Sequence, residues 1–387
     1  MRINIIHMGF FYSGGGERVA LQQARHLRER GHRVRVYSPI IRRDRCFPQL
    51  LKDVNPEELM RSIPSPVLRE ALAMLLCSLL PIGLQKLRDC DVLLCHSQPS
   101  LWIGWRMNQL FGIPYVGYLH QLTTFIHKRL DIASNWASKA DFLLLDGLLG
   151  KFCRPLARNL DYMSHKEASH LIFNSNWTRL RFQQAYGLTG DVCYPALDKM
   201  PDELPKRSRE NMIITASRHY PWKRIDLALH AISMLPNPKP QFVVVGDQTP
   251  HTVSLKRIAT QLELNEYVNF TGFVTNTFLT QLYSESKAYV QTSIQEPFGL
   301  GPVEAQACGT PAVVWGDAGV KETVLDGESG FHAKPYDLND FLDKLESILF
   351  DEEVWRLMSK AAHSWASHFT WRNHIDHLEH VLDECAR

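Results

Sequence analysis

Apolar runs typical of buried strands alternate with segments of helical spacing along the first half of the chain. The strand-like runs are RINIIHM, HRVRVYSP, DVLLCHSQ, PYVGYLHQ and HLIFNSN. The helical segments ERVALQQARHLRER and WTRLRFQQAYG end at Gly31 and Gly187, and glycine is the residue that most often terminates a helix. Strands that alternate with helices in this way predict βαβ units and a parallel sheet.

The alternation restarts in the second half, after the proline-rich and charged segment PALDKMPDELPKRSREN. Its strand-like runs are MIITAS, QFVVVGD, YVNFTGFV, KAYVQTS and PAVVW. Helical spacing follows the first of these runs, at Ile225, Ala228, Leu229, Ile232 and Leu235. A chain of 387 residues suits two domains of about 150–200 residues each. The pattern therefore predicts two doubly wound α/β domains, residues 1–190 and 191–370.

Charge divides the chain at the same place. Residues 1–190 contain 25 Lys and Arg against 14 Asp and Glu, a net charge of +11, and the remainder contains 18 against 27, a net charge of −9. A basic first half attracts an anionic partner. The eight cysteines form no CxxC pair, and the N-terminus has no secretory cleavage site, so we expect a cytoplasmic protein with reduced thiols.

Residues 64–87, PSPVLREALAMLLCSLLPIGLQKL, have two interpretations. Residues 71–84 carry no charge and include Pro81 and Gly83. They are too short for a transmembrane helix, which needs about 20 apolar residues. One interpretation is a buried helical hairpin. The other is a shallow apolar insertion near basic residues that makes the protein peripheral on the inner face of a membrane.

Two polar segments follow predicted strands, at the edge where α/β sheets bind ligands. Gly14–Gly16 come after the first strand, and their backbone can approach an anion beside the amides of the next helix. A plain tight turn explains these glycines equally well. Arg218 and Lys223 lie between the strand MIITAS and a helix N-terminus, where cations are unfavourable unless an anion lies between them. That placement indicates a diphosphate site, with an exposed basic loop as the alternative.

The segment QEPFGLGPVEAQACGTP, residues 295–311, places a carboxylate on each side of a short loop. Glu296 lies in the loop after the strand KAYVQTS, and a helix is predicted over residues 302–308. Backbone N–H groups at the helix entrance, on residues 298–300, suit an anion or a hydroxyl. Glu304 lies in the first turns of the helix, where a carboxylate can accept hydrogen bonds from the vicinal hydroxyls of a ribose.

Together these segments resemble the retaining glycosyltransferases of family four, which have the GT-B fold of two facing Rossmann-like domains with an interdomain cleft. Glu296 and Glu304 match the family's E-x7-E signature, and SRHYPWKRIDLALHAISML resembles its donor motif. FNSNWTRLRFQQAYG, VCYPALD and GVKETVLDGESGFHAKPYD resemble further family segments. The resemblance covers nearly the whole chain. It implies that a C-terminal helix, residues 371–387, returns to the N-terminal domain.

The resemblance implies roles for individual residues. Arg218 and Lys223 would hold the donor diphosphate as it leaves, Glu296 would bind hydroxyls of the transferred sugar, and His120 would lie near the sugar's 6-position. The backbone near Val274 would contact the nucleobase. The remaining donor-binding residues would be Gly15, Gly16, Phe298, Gly299, Leu300 and, on the ribose, Glu304. No suitable loop offers a DxD-type carboxylate pair, so we expect an enzyme without metal or other cofactor.

The predicted reaction transfers a hexose from a nucleotide diphosphate sugar to a glycan, lipid-linked or small-molecule acceptor, with no nucleic-acid partner. The GGGERV start resembles mannosyltransferases that use GDP-mannose. A non-catalytic nucleotide-sugar-binding protein and a sugar-nucleotide epimerase would share the fold. A glycosidase would need its two carboxyls to flank one bond, and it would leave the two cations without a role.

Two segments depart from the family pattern, and both concern loop geometry: Gly246-Asp247-Gln248 and Gln291-Thr292-Ser293. In the last predicted helix, His374, His377 and His380 recur at three-residue spacing. They lack a Cys or carboxylate set at ligand spacing. We therefore expect them on a solvated or interdomain helix face and not at a metal site.

Overall fold

The computed structural model of the chain describes residues 1–59, 83–123, 126–127, 148–198, 201 and 209–387. Internal contacts group these residues into two compact units. The first holds the described residues of Met1–Lys128 and Ala137–Ala196 together with Trp371–Arg387, and the second holds those of Leu197–Thr370. The chain leaves the first unit after Ala196, whereas the sequence pattern placed this boundary at residue 190.

The first unit is built on a parallel sheet of seven strands in the order β3-β2-β1-β4-β5-β6-β7. The strands are β1 Arg2–His7, β2 Arg33–Ser38, β3 Glu57–Glu58, β4 Val92–His96, β5 Tyr115–Leu119, β6 His170–Phe173 and β7 Asp191–Val192. The five longer strands lie in the predicted apolar runs. The two edge strands were not predicted, because their sequences, EE and DV, are too short to show a hydrophobic pattern.

Six helices and a 3-10 turn accompany this sheet in the described residues. They are the helices Gly15–Glu29, Pro48–Val54, Ser100–Phe111, Leu148–Lys166, Asn176–Tyr186 and Trp371–Ala386, and the turn Leu84–Leu87. The first helix begins at Gly15 and not at Glu17, so Gly15 and Gly16 lie in its first turn.

The last helix packs its apolar stripe against the core of the first unit. Trp371, Ile375 and Leu378 lie in one buried cluster with side chains of β1, β2 and β4. His374 shares this stripe and is 3% exposed, so its predicted place on a solvated or interdomain face is wrong. The reason is helical spacing, because a residue three or four positions from Trp371 and Leu378 lies on the same face. Its Nδ1 lies 2.7 Å from the carbonyl of Tyr194.

The second unit is built on a parallel sheet of six strands in the order β10-β9-β8-β11-β12-β13. The strands are β8 Met212–Ala216, β9 Gln241–Val245, β10 Val268–Gly272, β11 Ala288–Gln291, β12 Ala312–Trp315 and β13 Gly330–Ala333. The first five lie in predicted runs, and β13 was not predicted. The described units are two Rossmann-like domains, so the predicted α/β class is confirmed.

The helices of the second unit flank its sheet. They are Ile225–Met234, Pro250–Gln261, Asn276–Glu285, Leu300–Ala307, Leu338–Phe350 and Glu352–Ala366, with 3-10 turns at Pro221–Lys223 and Ala318–Thr323. The helix that carries Glu304 begins two residues before the predicted position 302.

Most of the apolar segment 64–87 lies outside the described residues, which include only positions 83–87 of it. The hairpin and membrane-surface interpretations therefore both stay predictions. Within the part of the chain that the structure describes, no helix is both long enough and apolar enough to span a membrane.

Candidate functional site

The strand order of the second unit reverses between β8 and β11, which pair in parallel. Loops that leave the carboxyl ends of two such strands lie side by side and form the usual ligand site of an α/β sheet. Here the loop after β8 carries Arg218 and Lys223, and the loop after β11 carries Glu296. Thr292 Oγ1 joins the two loops by donating a 2.6 Å hydrogen bond to the carbonyl of Arg224.

Lys223 and Glu296 form an ion pair at this point. The Nζ atom of Lys223 lies 2.5 Å from Oε2 of Glu296, and the side chains are 19% and 16% exposed. An ammonium has three donors, so Lys223 can bind a phosphate oxygen while it keeps Glu296. The pair also explains how a cation is tolerated just before the helix Ile225–Met234. The carboxylate of Glu296 therefore supplies part of the negative charge that stabilises a cation at the position of Lys223.

The backbone around Glu296 is held by the segment that follows β12. The amide of Gln295 donates to Oδ2 of Asp317 at 3.0 Å, and the amide of Gly319 donates to the carbonyl of Glu296 at 2.9 Å. A side chain at Gly319 has no room, because its Cβ would lie 1.9 Å from the carbonyl oxygen of Pro297. These contacts hold the carboxylate of Glu296 on a fixed backbone.

Asp317 and Gly319 were not predicted as site residues from the sequence. A usable signal was present, because both residues follow a strand of the same parallel sheet and so lie at its ligand-binding edge.

Gly299 joins the Glu296 loop to the helix Leu300–Ala307. It is the N-cap residue and has a φ of 96°, a left-handed conformation that favours glycine. Phe298 beside it is 3% exposed. The amides of Gly299 and Leu300 thus lie at a helix entrance, as the sequence predicted, where the first N–H groups have no partner within the helix.

Glu304 is held by a tyrosine that the sequence analysis missed. The hydroxyl of Tyr283 donates to Oε2 of Glu304 at 3.1 Å. Burial raises the pKa of Tyr283 well above its usual value, so this hydroxyl remains a donor. Val274, the predicted nucleobase contact, packs partly buried against the same cluster as Tyr283. Tyr283 gave no local signal, because it comes 21 residues before Glu304 in the chain.

Arg218 lies in an aromatic setting on the loop after β8. Its guanidinium carbon is 5.1 Å from the ring centroid of Tyr220. Tyr220 stacks in turn on Trp222, with the ring centroids 4.4 Å apart and the planes 10° from parallel. These ring contacts all lie within the short loop that also carries Lys223.

In the first unit, Gly16 and His120 lie close together. A Cβ at Gly16 would be 3.6 Å from Cδ2 and Nε2 of His120. The ring of His120 also contacts that of His96, with Nε2 of His120 and Nδ1 of His96 3.2 Å apart. Burial lowers the pKa of His120 to about 3 and that of His96 well below its usual value. Both rings are therefore neutral at pH 7.

His96 is another residue that the sequence analysis did not assign, although DVLLCH and PYVGYLH each end in histidine at the close of a strand. Across the described ranges, no group of three or more His, Cys, Asp or Glu side chains is placed to hold a metal ion. Independence from metal stays a prediction.

Comparison with known proteins places most of the chain among sugar-transferring proteins. Residues 198–365 match the group 1 glycosyl transferases, and residues 13–198 match glycosyltransferase family 4. The D-inositol 3-phosphate glycosyltransferase of Mycolicibacterium smegmatis is 26% identical over 310 residues, which are 74% of this chain and 66% of that protein. Its counterpart in Corynebacterium aurimucosum is 24% identical over 312 residues, 76% of this chain and 71% of that protein. The chain thus spans less than two thirds of the M. smegmatis relative.

Solved structures show the same fold at lower identity. The structure of Anabaena HepE in complex with UDP and glucose has a TM-score of 0.76 and 21% identity, covering 99% of this chain and 100% of that chain. Sucrose-phosphate synthase from Thermosynechococcus elongatus has a TM-score of 0.76 and 18% identity, covering 99% of both chains.

Proposed function

The chain belongs to glycosyltransferase family four, with the GT-B fold, and we propose that it transfers a hexose from a nucleotide diphosphate sugar with retention of configuration. The observation that carries this proposal is the Lys223–Glu296 pair at the strand-order reversal of the second unit. It brings a phosphate-binding cation next to a carboxylate that can accept hydrogen bonds from sugar hydroxyls.

The chemistry of such a site is the stabilisation of a leaving group. The acceptor's hydroxyl oxygen bonds to the sugar carbon as the bond between that carbon and the diphosphate breaks, and the hydroxyl proton passes to the leaving diphosphate. Negative charge develops on the diphosphate as this bond breaks. The ammonium of Lys223 and the guanidinium of Arg218 neutralise that charge, together with the amides at the entrance of the helix Leu300–Ala307. Because the amides of Gln295 and Gly319 fix the backbone around Glu296, we expect its carboxylate to need little rearrangement to bind the sugar. No metal is required in this scheme.

The two carboxylates of the signature bind different parts of the nucleotide sugar. Glu296 binds the hydroxyls of the transferred sugar, beside the phosphate-binding cation. Glu304, held by Tyr283, accepts hydrogen bonds from the ribose. His120, Gly15 and Gly16 of the first unit serve the transferred sugar, as the family resemblance implies.

The identity of the donor is open to a direct test. The GGGERV start favours GDP-mannose, whereas HepE has been solved with UDP and with UDP-glucose. A thermal-shift panel of UDP-, GDP- and ADP-sugars identifies the base, because a ligand that binds only the folded state raises the unfolding temperature. We expect a shift with one class of nucleotide sugar. A protein that responds to none of them would contradict the proposal, and binding without sugar transfer would favour a non-catalytic binding protein.

For the acceptor, we propose an anionic molecule bound by the first unit, such as a phosphorylated small molecule or a lipid-linked phosphate. The net charge of +11 on residues 1–190 supports this choice, because it raises the local concentration of anionic ligands. The relatives named for D-inositol 3-phosphate point to the same chemistry. Transfer assays with neutral and phosphorylated acceptors separate the two classes.

A further inference from the structure

Three neighbouring strands of the first unit bring histidines together at one edge of its sheet. β1, β4 and β5 are adjacent and parallel. His7 is in register with His96 at the ends of β1 and β4, and His120 follows the last residue of β5. The ring of His96 is fully buried, and its centroid lies 5.9 Å from that of His7 and 5.5 Å from that of His120.

One hydrogen bond links the rings of His96 and His120, through Nδ1 of His96 and Nε2 of His120. Both rings are neutral at pH 7 because burial lowers their pKa values. A neutral imidazole has one N–H group and one bare nitrogen. One of the two rings must therefore donate and the other accept, and the tautomer of His96 determines the tautomer of His120.

The second nitrogen of His96 decides between the two arrangements. Nε2 of His96 is buried and has no hydrogen-bond partner among the residues that the structure describes. If His120 were the donor, Nε2 of His96 would carry a buried N–H group without an acceptor. Among backbone groups of folded proteins, unpaired buried donors are rarer than under-satisfied acceptors, and we extend that preference to the imidazole N–H group. The favoured arrangement therefore has the proton of His96 on Nδ1 and leaves Nε2 bare.

We propose that His96 is a positioning residue that donates a hydrogen bond to His120 and holds it in the Nδ1–H tautomer. His120 then offers an N–H donor on the side away from His96. That donor suits a hydroxyl oxygen of the transferred sugar, so His120 binds the sugar as a donor and does not act as a base. The contact with the sugar rests on the proposed function, whereas the tautomer is a property of the free protein.

The wild-type tautomer can be read directly. In the full chain labelled with ¹⁵N-histidine, the side-chain nitrogen shifts distinguish an Nδ1–H from an Nε2–H imidazole, and a spectrum of His120→Gln assigns the signals of His120. We expect the Nδ1–H form at pH 7. An Nε2–H form of His120 in the wild-type protein would overturn the proposal, whether or not the protein transfers sugar.

Variants at position 96 separate positioning from mere packing. His96→Asn puts an amide N–H near the place of Nδ1 and should keep both the tautomer and the activity. His96→Gln and His96→Leu lose that N–H group. We expect kcat/KM for the nucleotide sugar to fall about tenfold in these variants, the usual effect of one hydrogen bond. His7→Leu is the matched control, since it removes a neighbouring buried ring that makes no hydrogen bond to His120.

Equal losses in the Asn and Leu variants would mean that His96 acts only by filling space, which overturns the proposal. If a variant does not fold, the wild-type spectrum still decides the tautomer. If the spectrum shows Nδ1–H but no nucleotide sugar reacts, the proposed function fails and the tautomer assignment stands.

Discussion

Replacing Lys223 by alanine should affect catalysis and stability by separable amounts. The lost ammonium would otherwise stabilise the leaving diphosphate, and loss of one preorganised contact of this kind lowers kcat by roughly 10²–10³. That factor corresponds to about 2.7–4 kcal/mol of barrier height. We expect Arg218→Ala to have a similar effect on kcat, because its guanidinium lies on the same loop.

The stability effect follows from the burial of the ion pair. Exposed pairs contribute about 0–1 kcal/mol, and breaking a fully buried pair costs about 3–5 kcal/mol. The side chains of Lys223 and Glu296 are 19% and 16% exposed, so Lys223→Ala should lower the free energy of unfolding by about 2 kcal/mol, between these limits. Arg218→Ala leaves this pair intact and should cost less.

The double variant Lys223→Ala/Glu296→Gln distinguishes the two effects. It removes the unpaired carboxylate, so urea unfolding should show most of the stability regained. Release of nucleoside diphosphate, measured at saturating donor on protein shown to be folded, should stay at the low rate, and the loss of the sugar-binding carboxylate of Glu296 contributes to that low rate. Recovery of kcat along with stability would refute the leaving-group role and make the pair a structural contact. Wild-type turnover in both Lys223→Ala and Arg218→Ala would exclude a diphosphate site on this loop.

Three further predictions concern other parts of the chain. Glu304→Gln should weaken nucleoside diphosphate binding about 10- to 100-fold in titration calorimetry, the effect of one or two charge-assisted hydrogen bonds. Tyr283→Phe should weaken that binding less. An unchanged affinity in Glu304→Gln would contradict the ribose assignment. Burial lowers the pKa of His374 to about 4 from an unfolded value near 6.5, so the unfolded chain binds this proton first as the pH falls. Stability present above pH 6.5 should therefore be lost towards pH 4, by up to about 1.4 kcal/mol per pH unit for this group. Urea unfolding of His374→Gln should show a smaller loss over this range. A pH profile identical to that of the wild-type protein would disprove the role of His374. If the basic first unit acts at an anionic membrane, the protein should sediment with anionic vesicles at low salt and less at high salt. Leu75→Asp/Leu79→Asp should reduce this binding. Absence of sedimentation at low salt would favour a soluble acceptor.

The sequence by itself determined the elements with a strong local pattern. Runs such as RINIIHM and QFVVVGD predicted their strands, because hydrophobic periodicity is a property of a few consecutive residues. The edge strands Glu57–Glu58 and Asp191–Val192 were not predicted, because two residues are too few to show a hydrophobic periodicity. The placement of Glu296, Arg218 and Lys223 after strand ends was also predicted, because the carboxyl edge of a parallel sheet binds ligands.

The partners of these residues were decided only by the tertiary structure. Lys223 meets Glu296 across 73 positions of the chain because β8 and β11 are neighbours, and strand order is set by long-range packing that a local pattern does not contain. His96 contacts His120 for the same reason, since β4 and β5 pair directly. Helical spacing puts His374 on the same helix face as Trp371 and Leu378, but only the packing of that helix decided that this face is buried in the first unit. The chemical character of the site could be predicted from single residues of the sequence. The contacts that orient those residues depend on which surfaces the folded chain buries together.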